Sequence, residues 1–176
     1  TWEALRPRSP PKQWSKLIWF SGAIPRHAFN MWVANLNRLP TKARLASWGL
    51  TVQKTCCLCN SFDEDRDHLF LSCAYSISIW NLIIARLDPN RRLILSWNEL
   101  LSWIKRSSTS AATTLRKLVT QSAIYNIWRQ RNSAVHLNGF ATAQITFKTI
   151  DRDIRNTLTA RRHRRKFNSL MSLWIR

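Results

Sequence analysis

Four side chains that bind soft metals lie close together in the chain. They are Cys56, Cys59, His68 and Cys73, in the pattern C-x2-C-x8-H-x4-C. Zinc prefers four thiolate and imidazole ligands in a tetrahedron, and a C-x2-C turn presents two thiolates to one ion. The spacing therefore predicts one structural zinc ion. Because four protein ligands leave no open coordination position, the site is not expected to be catalytic.

A disulfide framework and a redox C-x2-C motif are the alternatives to zinc. All four cysteines lie within residues 55–73, whereas disulfides usually connect distant parts of small secreted chains. A thioredoxin-like motif requires a βαβ setting, and no such pattern is present. The spacing therefore favours zinc. Cys57, beside a ligand, is expected to be a small buried residue. The acidic run 63–67 is expected to be a solvated turn near the ligands.

Positive charge is concentrated in the two ends of the chain. The sequence has 28 Lys and Arg against 9 Asp and Glu, a net charge of +19. Residues 1–55 carry nine basic residues and one acidic, 56–100 four and six, and 101–176 fifteen and two. Such a surplus favours a polyanionic partner, because solubility requires much less charge. RNA is the expected partner and DNA the alternative. No membrane partner is expected, because no apolar run is long enough to span a bilayer.

The densest basic segment is ARRHRRKF, residues 160–167. We predict that it is helical and that its charges surround the helix, which suits a phosphate-lined groove. Basic residues from earlier in the chain are expected to contribute to the same binding surface. The predicted nucleic-acid-binding residues are Arg161, Arg162, Arg164, Arg165, Lys166, Arg129, Arg131, Lys12, Lys16, Arg26, Lys42 and Arg44.

Apolar residues recur at helical spacing through most of the chain. Phe29, Trp32, Val33 and Leu36 follow the i, i+3, i+4, i+7 pattern of an amphipathic helix. Ser96 has the spacing from Glu99 of a capping box. Further helices are predicted over KARLASWG, AYSISIWNLIIARL, SWNELLSWIKRS, TTLRKLVTQSAIYNIWRQRNSAVH and TAQITFKTIDRDIRNTLTARRHRRKF. The last of these places Phe147, Ile150, Ile154 and Leu158 on one face.

The expected fold class is mainly α: a helical domain with a CCHC zinc-stapled loop and a basic C-terminal helix. Residues 1–110 are predicted to form the helical zinc-binding domain and 111–176 a basic helical extension. The three glycines build no phosphate-binding loop, and the carboxylates are too scattered for two-metal chemistry. The chain is therefore expected to be a binding module and not an enzyme.

A resemblance to a known family spans roughly residues 1–136. The chain resembles the zinc-binding domain at the C-terminal end of plant non-LTR (LINE-type) reverse transcriptases. The segment 124–136, IYNIWRQRNSAVH, resembles a helix that commonly follows in such chains. The matching positions are Trp19, Ile24, Pro25, Arg26, Ala28, Phe29, Trp32, Leu39, Thr41, Arg44, Leu45, Trp48, Gly49, Cys56, Cys59, Glu64, His68, Leu69, Phe70, Cys73 and Trp80.

The resemblance implies a nuclear element protein that handles its own RNA or target DNA beside a polymerase. The polymerase's Asp-Asp motif is absent, so catalysis is not carried over. An alternative is a domesticated structural RNA-binding subunit of a ribonucleoprotein, such as a mitochondrial ribosome, with protein neighbours. A third interpretation is a protein-docking module built on the ten tryptophans. Most of these tryptophans have the spacing of core residues, which favours packing.

Overall fold

The protein is helical throughout the part that the structure describes. The structure is a computed structural model, and it describes residues 10, 12–106 and 112–175. Within these residues the β pairing is confined to one isolated bridge between Thr55 and Asp63. The helices are α1 (Ser15–Ile18), α2 (Pro25–Asn35), α3 (Lys42–Ser47), α4 (Ala74–Leu87), α5 (Trp97–Lys105), α6 (Thr113–His136), α7 (Ala143–Ala160) and α8 (Leu170–Trp174). The mainly α prediction is confirmed.

Helices α4 and α5 begin and end where local sequence signals predict. Helix α4 stops at Leu87, directly before the Asp88-Pro89 turn, and it buries Ile79, Trp80 and Ile83. Helix α5 starts after Ser96, whose hydroxyl accepts a hydrogen bond from the Glu99 backbone N–H at 3.3 Å. The capping interaction satisfies an N–H that the first turn of a helix leaves free.

Helix α6 is the centre of the fold. It packs against α2, α5 and α7, and its buried residues extend from Leu115 to Arg131. Helices from both sides of the predicted boundary at residue 110 therefore contribute to one hydrophobic core. The boundary itself falls in 107–111, outside the described residues. The division into two domains stays a prediction.

The most deeply buried residues of helix α2 are not those of its apolar repeat. The face that contacts α6 carries His27, Ala28, Met31 and Ala34, all of which are buried. Phe29, on the face with the apolar repeat, is 57% exposed. Small alanines let two helices approach closely, whereas a row of bulky rings would hold them apart. The predicted helix is therefore present, and of its apolar repeat Trp32 and Val33 are half-buried and pack against the core, whereas Phe29 is exposed.

The basic segment after α7 is a turn and not a helix. Helix α7 ends at Ala160, and residues 165–167 form a short 3₁₀ turn that leads to α8. The core-facing side of α7 is as predicted, with Phe147, Ile150, Ile154 and Leu158 buried. A longer helix would carry like charges all round and would bury nothing. Folding back instead buries Phe167 and Trp174. The predicted basic C-terminal helix is therefore corrected to a basic turn.

No helix among the described residues has the length and the apolar character that a transmembrane segment requires.

Candidate zinc centre and basic surface

The four predicted zinc ligands come from three adjacent pieces of backbone. Cys56 and Cys59 lie in the loop that the Thr55–Asp63 bridge closes. His68 begins a π-helical turn, His68–Ser72, and Cys73 is the residue that caps the N-terminus of α4. The backbone N–H of Cys73 donates a hydrogen bond to the carbonyl of His68 at 2.7 Å. Local turns therefore converge on one point without help from a sheet.

The ligand atoms have the separation that zinc requires. The Sγ atoms of Cys56 and Cys73 are 3.9 Å apart, and Cys59 Sγ is 3.3 Å from His68 Nε2. All four ligand atoms lie within 4.8 Å of one another. In a tetrahedron with metal–sulfur bonds of about 2.3 Å, sulfur atoms lie roughly 3.8 Å apart. The donor set and its size thus fit one structural zinc ion, which these four residues would hold and which would cross-link the loop to α4.

The thiols of the site differ in their acidity. The pKa of Cys56 is lowered to about 5, first by a hydrogen bond from Cys73. The pKa of Cys73 is raised, first by that same hydrogen bond and then by burial. Bound zinc favours the thiolate form of each cysteine ligand. Cys57 is different: burial and the charge of Glu64 raise its pKa to about 11, so it stays a neutral thiol.

Cys57 does not join the cluster. Its Sγ lies 3.6 Å from Glu64 Oε2 and 3.7 Å from the carbonyl of Arg131. The side chain is half-buried and contacts the backbone of α6. This arrangement agrees with the sequence-based expectation of a packed, non-ligating residue.

The acidic run beside the ligands is not a solvated turn throughout. Glu64 is 0% exposed, and its Oε1 accepts hydrogen bonds from the Lys42 backbone N–H at 3.0 Å and from Arg131 Nε at 2.9 Å. Asp65 Oδ1 accepts from the His68 backbone N–H at 2.7 Å. Glu64 therefore joins the zinc loop to the first turn of α3 and to α6, while Asp65 fixes the turn that carries His68.

Arg131 is a core residue and not a surface one. It is 4% exposed, and besides pairing with Glu64 it donates to the Pro40 carbonyl at 3.1 Å. Its guanidinium lies 4.9 Å from the centre of the Trp128 ring. The side chain cannot reach a nucleic acid from this position, so the prediction that it does is corrected. The sequence shows that a residue is basic, but it does not show whether its side chain contacts a phosphate or pairs with a buried carboxylate.

Residues 1–80 match the family model for zinc-binding in reverse transcriptase. The matched segment contains all four ligands and ends at Trp80, within α4. Curated proteins and solved structures gave no match to the chain. The N-terminal part of the chain is therefore similar to a zinc-binding module of reverse-transcriptase-like proteins. Residues 81–136, which the wider resemblance includes, lie outside the match.

The basic turn docks beside the N-terminal helices. The ring of Phe167 is so close to Gly22 that a Cβ there would lie 2.4 Å from it. Lys117 on α6 donates to the Lys16 carbonyl at 2.8 Å. Burial lowers the pKa of Lys117, and the nearby charge of Lys166 lowers it further. The fold thus places the Lys117 ammonium against the backbone of Lys16 and near Lys166. We call these three lysines, together with Arg161, Arg162, Arg164 and Arg165, the basic surface.

Lys117 is the member of this surface that sequence reasoning missed. It lies 101 residues after Lys16, and nothing in its local sequence marks it. Only the packing of α1 against α6 and the fold-back after α7 place it beside other lysines.

Two further predicted residues meet at a second place. The guanidinium groups of Arg26 and Arg129 lie 5.5 Å and 6.0 Å from the centre of the Tyr125 ring. Both arginines are exposed, as is Lys12 near the N-terminus. Arg26 comes from α2 and Arg129 from α6, so helix packing creates this arginine pair.

Lys42 and Arg44 are partly occupied within the protein. Lys42 Nζ donates to the Thr55 carbonyl at 2.7 Å, which attaches it to the zinc loop. The Arg44 guanidinium donates to the Asn37 carbonyl and lies 5.1 Å from the Trp48 ring centre. Both side chains are half-buried. The structure assigns them a local packing role, and their contact with nucleic acid stays a prediction.

Proposed function

We propose that this chain is a non-catalytic zinc module that binds RNA through the basic surface. The zinc site holds the loop and α4 in position, and the positive surface supplies the affinity. Support comes from the zinc-binding family match, from the net charge of +19, and from the placement of unpaired cations. The same activity suits both an element protein and a fixed subunit of a ribonucleoprotein.

The observation that carries the proposal is the lack of acidic partners around the basic turn. Within the described residues, no carboxylate lies within ion-pairing distance of the segment 161–166. The carboxylates that do pair with arginines are occupied elsewhere: Glu64, Asp67, Asp88, Glu99 and Asp151. Like charges held together without counter-charges raise the free energy of the unbound protein. Phosphates would relieve that repulsion.

RNA is favoured over DNA by the kind of surface that is present. The cations of the basic surface lie on a turn and on the sides of helices that pack into the fold. Such a surface contacts phosphates and backbone shape, which is how proteins recognise most RNA helices. Binding should therefore be strongly salt-dependent and weakly selective for sequence.

The test is a salt titration of RNA binding by the zinc-loaded chain. Each phosphate contact contributes about −0.7 to −0.9 to the slope of log affinity against log salt. Replacing Arg161, Arg162, Arg164, Arg165 and Lys166 by Gln should flatten the slope by several units. The paired change Lys16→Gln with Lys117→Gln should flatten it by about one to two units.

The matched control removes five exposed charges elsewhere: Lys54, Arg92, Lys105, Lys148 and Arg152. If this control flattens the slope as much as the five-site variant, charge alone is responsible and the proposed surface is wrong. No measurable RNA binding by the wild type would reject the function itself.

A further inference from the structure

A cluster of three aromatic rings lies at the edge of the core beside α2, with Trp32 packed against the core and the other two rings exposed. The Trp32 ring centre is 6.2 Å from that of Trp19 and 5.6 Å from that of Phe29. Trp19 is 48% exposed and Phe29 is 57% exposed. We call Trp19, Phe29 and Trp32 the aromatic patch. Neither the zinc site nor the basic surface uses it.

We propose that the aromatic patch binds the unpaired bases of single-stranded RNA by stacking. The proposal rests on the proposed function, because it adds a base-binding element to an RNA-binding protein. Aromatic side chains stack on any nucleobase, and proteins that bind single strands combine such rings with a positive groove. Duplex RNA would not engage the patch, because its bases are already stacked in the helix.

The ring geometry leaves faces open for bases. The planes of Trp19 and Trp32 are inclined at 53°, and those of Phe29 and Trp32 at 56°. In a tilted contact an edge of one ring meets part of another, so the rings do not cover each other's faces as in a parallel stack. The rings are also held in place, since Trp32 is half-buried and touches both of the others.

Basic side chains lie near the patch. Arg26 precedes Phe29 by three residues on α2, so the two side chains are neighbours on one face. Arg26 and Arg129 approach the same Tyr125 ring, and neither has a carboxylate within ion-pairing distance among the described residues. Lys16 lies three residues before Trp19 in the chain. A strand with its bases on the rings would thus have cations near its phosphates.

Charge also argues against a second copy of this chain as the occupant. Two chains of net charge +19 repel each other, and the charged residues named beside the patch, Arg26, Arg129 and Lys16, are all basic. An anionic polymer with flat apolar bases satisfies both the rings and the arginines. The observations therefore favour a single strand over an apolar protein surface.

The experiment compares two probes with the full, zinc-loaded chain. One probe is an oligouridine of about 12 nucleotides, and the other is an RNA hairpin with a long duplex stem. The double change Trp19→Ala with Phe29→Ala should weaken oligouridine binding on the order of tenfold or more. Affinity for the duplex and the salt slope should stay unchanged, because the rings contact no phosphate. Trp19→Phe with Phe29→Tyr keeps the rings and should restore binding.

A matched control removes two apolar side chains of similar exposure from another place. Trp48 is 55% exposed and Leu50 is 53% exposed, so Trp48→Ala with Leu50→Ala should leave oligouridine binding unchanged. Zinc content and circular dichroism establish that each variant is folded. Cross-linking of a 4-thiouridine oligomer, followed by mass spectrometry, should locate the base at Trp19, Phe29 or Trp32.

Each other outcome counts against the proposal in a recognisable way. Unchanged or equally reduced binding of both probes by the ring variant would overturn it. If the five-site basic variant nevertheless had a reduced affinity for RNA, the proposed function would stand and only the stacking proposal would fail. Absence of RNA binding by the wild type would reject both. Self-association of the wild type that the ring variant abolishes, measured by sedimentation, would make the patch a protein interface and overturn the proposal.

Discussion

Single residues hold the zinc loop to its surroundings. Asp65 fixes the start of the His68 turn, and Glu64 accepts hydrogen bonds from α3 and α6 at the same time. The helix α3 has no capping hydrogen bond from the Thr41 side chain, so the Glu64 carboxylate serves its first turn instead. A carboxylate at a helix N-terminus also interacts favourably with the helix dipole. These contacts suggest two tests at the scale of one residue.

The zinc ligands should be separable from the remaining cysteine. Cys59→Ser with Cys73→Ser removes two of the four ligands, so stoichiometric zinc and much of the stability should be lost. Cys57→Ser should keep the metal, because its thiol points to Glu64 and not to the cluster. Metal analysis and thermal unfolding measure both variants. Full zinc retention by the double variant would contradict the assigned site.

Glu64→Ala should destabilise the protein far more than Asp63→Ala. Removing Glu64 leaves the buried Arg131 guanidinium without its carboxylate, which costs about 3–5 kcal/mol. Asp63 is exposed, and a surface change of this kind stays within about 0.5 kcal/mol. Urea unfolding of the zinc-loaded variants gives the two free energies. Equal losses in the free energy of unfolding would mean that the buried Glu64–Arg131 pair does not contribute to stability beyond a surface residue.

At the scale of elements, the turn between α7 and α8 is positioned by its contact with the N-terminal region. Phe167 is 2% exposed and lies against the backbone of Gly22. On the other side of the turn, Trp174 Nε1 donates to Asp151 Oδ1 of α7 at 2.9 Å. Two buried aromatic residues, Phe167 and Trp174, therefore hold in place the turn that carries the arginines.

Two glycines offer a matched test of that contact. Gly22 and Gly49 have φ values of +99° and +85°, so alanine at either position suffers strain of about 1–3 kcal/mol. Only at Gly22 does the new Cβ meet a neighbour, the Phe167 ring, whereas Gly49 has open space. Gly22→Ala should therefore lose at least about 1 kcal/mol more than Gly49→Ala in urea unfolding. Equal losses would show that the turn does not dock there.

At the scale of the whole molecule, three helices enclose a buried polar group. His27 of α2 is 0% exposed, stacks on Tyr125 of α6 at 4.3 Å, and has its Nε2 3.9 Å from Asp153 of α7. Burial lowers its pKa from 6.5 to about 4, and the charges of Arg26 and Arg129 act in the same direction, whereas Asp153 opposes them. The histidine is therefore neutral in the folded protein at pH 7.

Acid should destabilise the fold through His27. Between about pH 6.5 and pH 4 the unfolded chain binds this proton and the folded chain does not, so the free energy of unfolding falls as the pH falls. The loss is complete below about pH 4 and amounts to roughly 3 kcal/mol. Unfolding of His27→Leu should depend less on pH across this window than the wild type does.

The exposed His163 provides the control for this pH dependence. His163→Leu should follow the wild-type profile. Zinc release in acid affects all three proteins alike, so the difference between profiles isolates His27. Parallel profiles for the wild type and His27→Leu would contradict the assignment.

Local chemistry accounts for what the sequence alone predicted correctly. The ligand spacing of Cys56, Cys59, His68 and Cys73, the cap at Ser96 and the stop at Asp88-Pro89 all depend on residues within a few turns of one another. The apolar face of α7 follows in the same way from a strong helical period. Such features need no knowledge of the rest of the chain, so their position along the sequence is sufficient.

The tertiary structure decided the features that depend on distant partners. The burial of Arg131 against Glu64 and the contact of the Lys117 ammonium with the Lys16 backbone each join segments tens of residues apart. The turn at 161–166, which stands in place of the predicted helix, allows Phe167 to bury its ring beside Gly22, and burial of an apolar ring is favourable. Which face of a helix is buried, and which charged side chain is paired, depends on the shape and charge of the element packed against it. A local stretch of sequence describes only one of the two surfaces that meet.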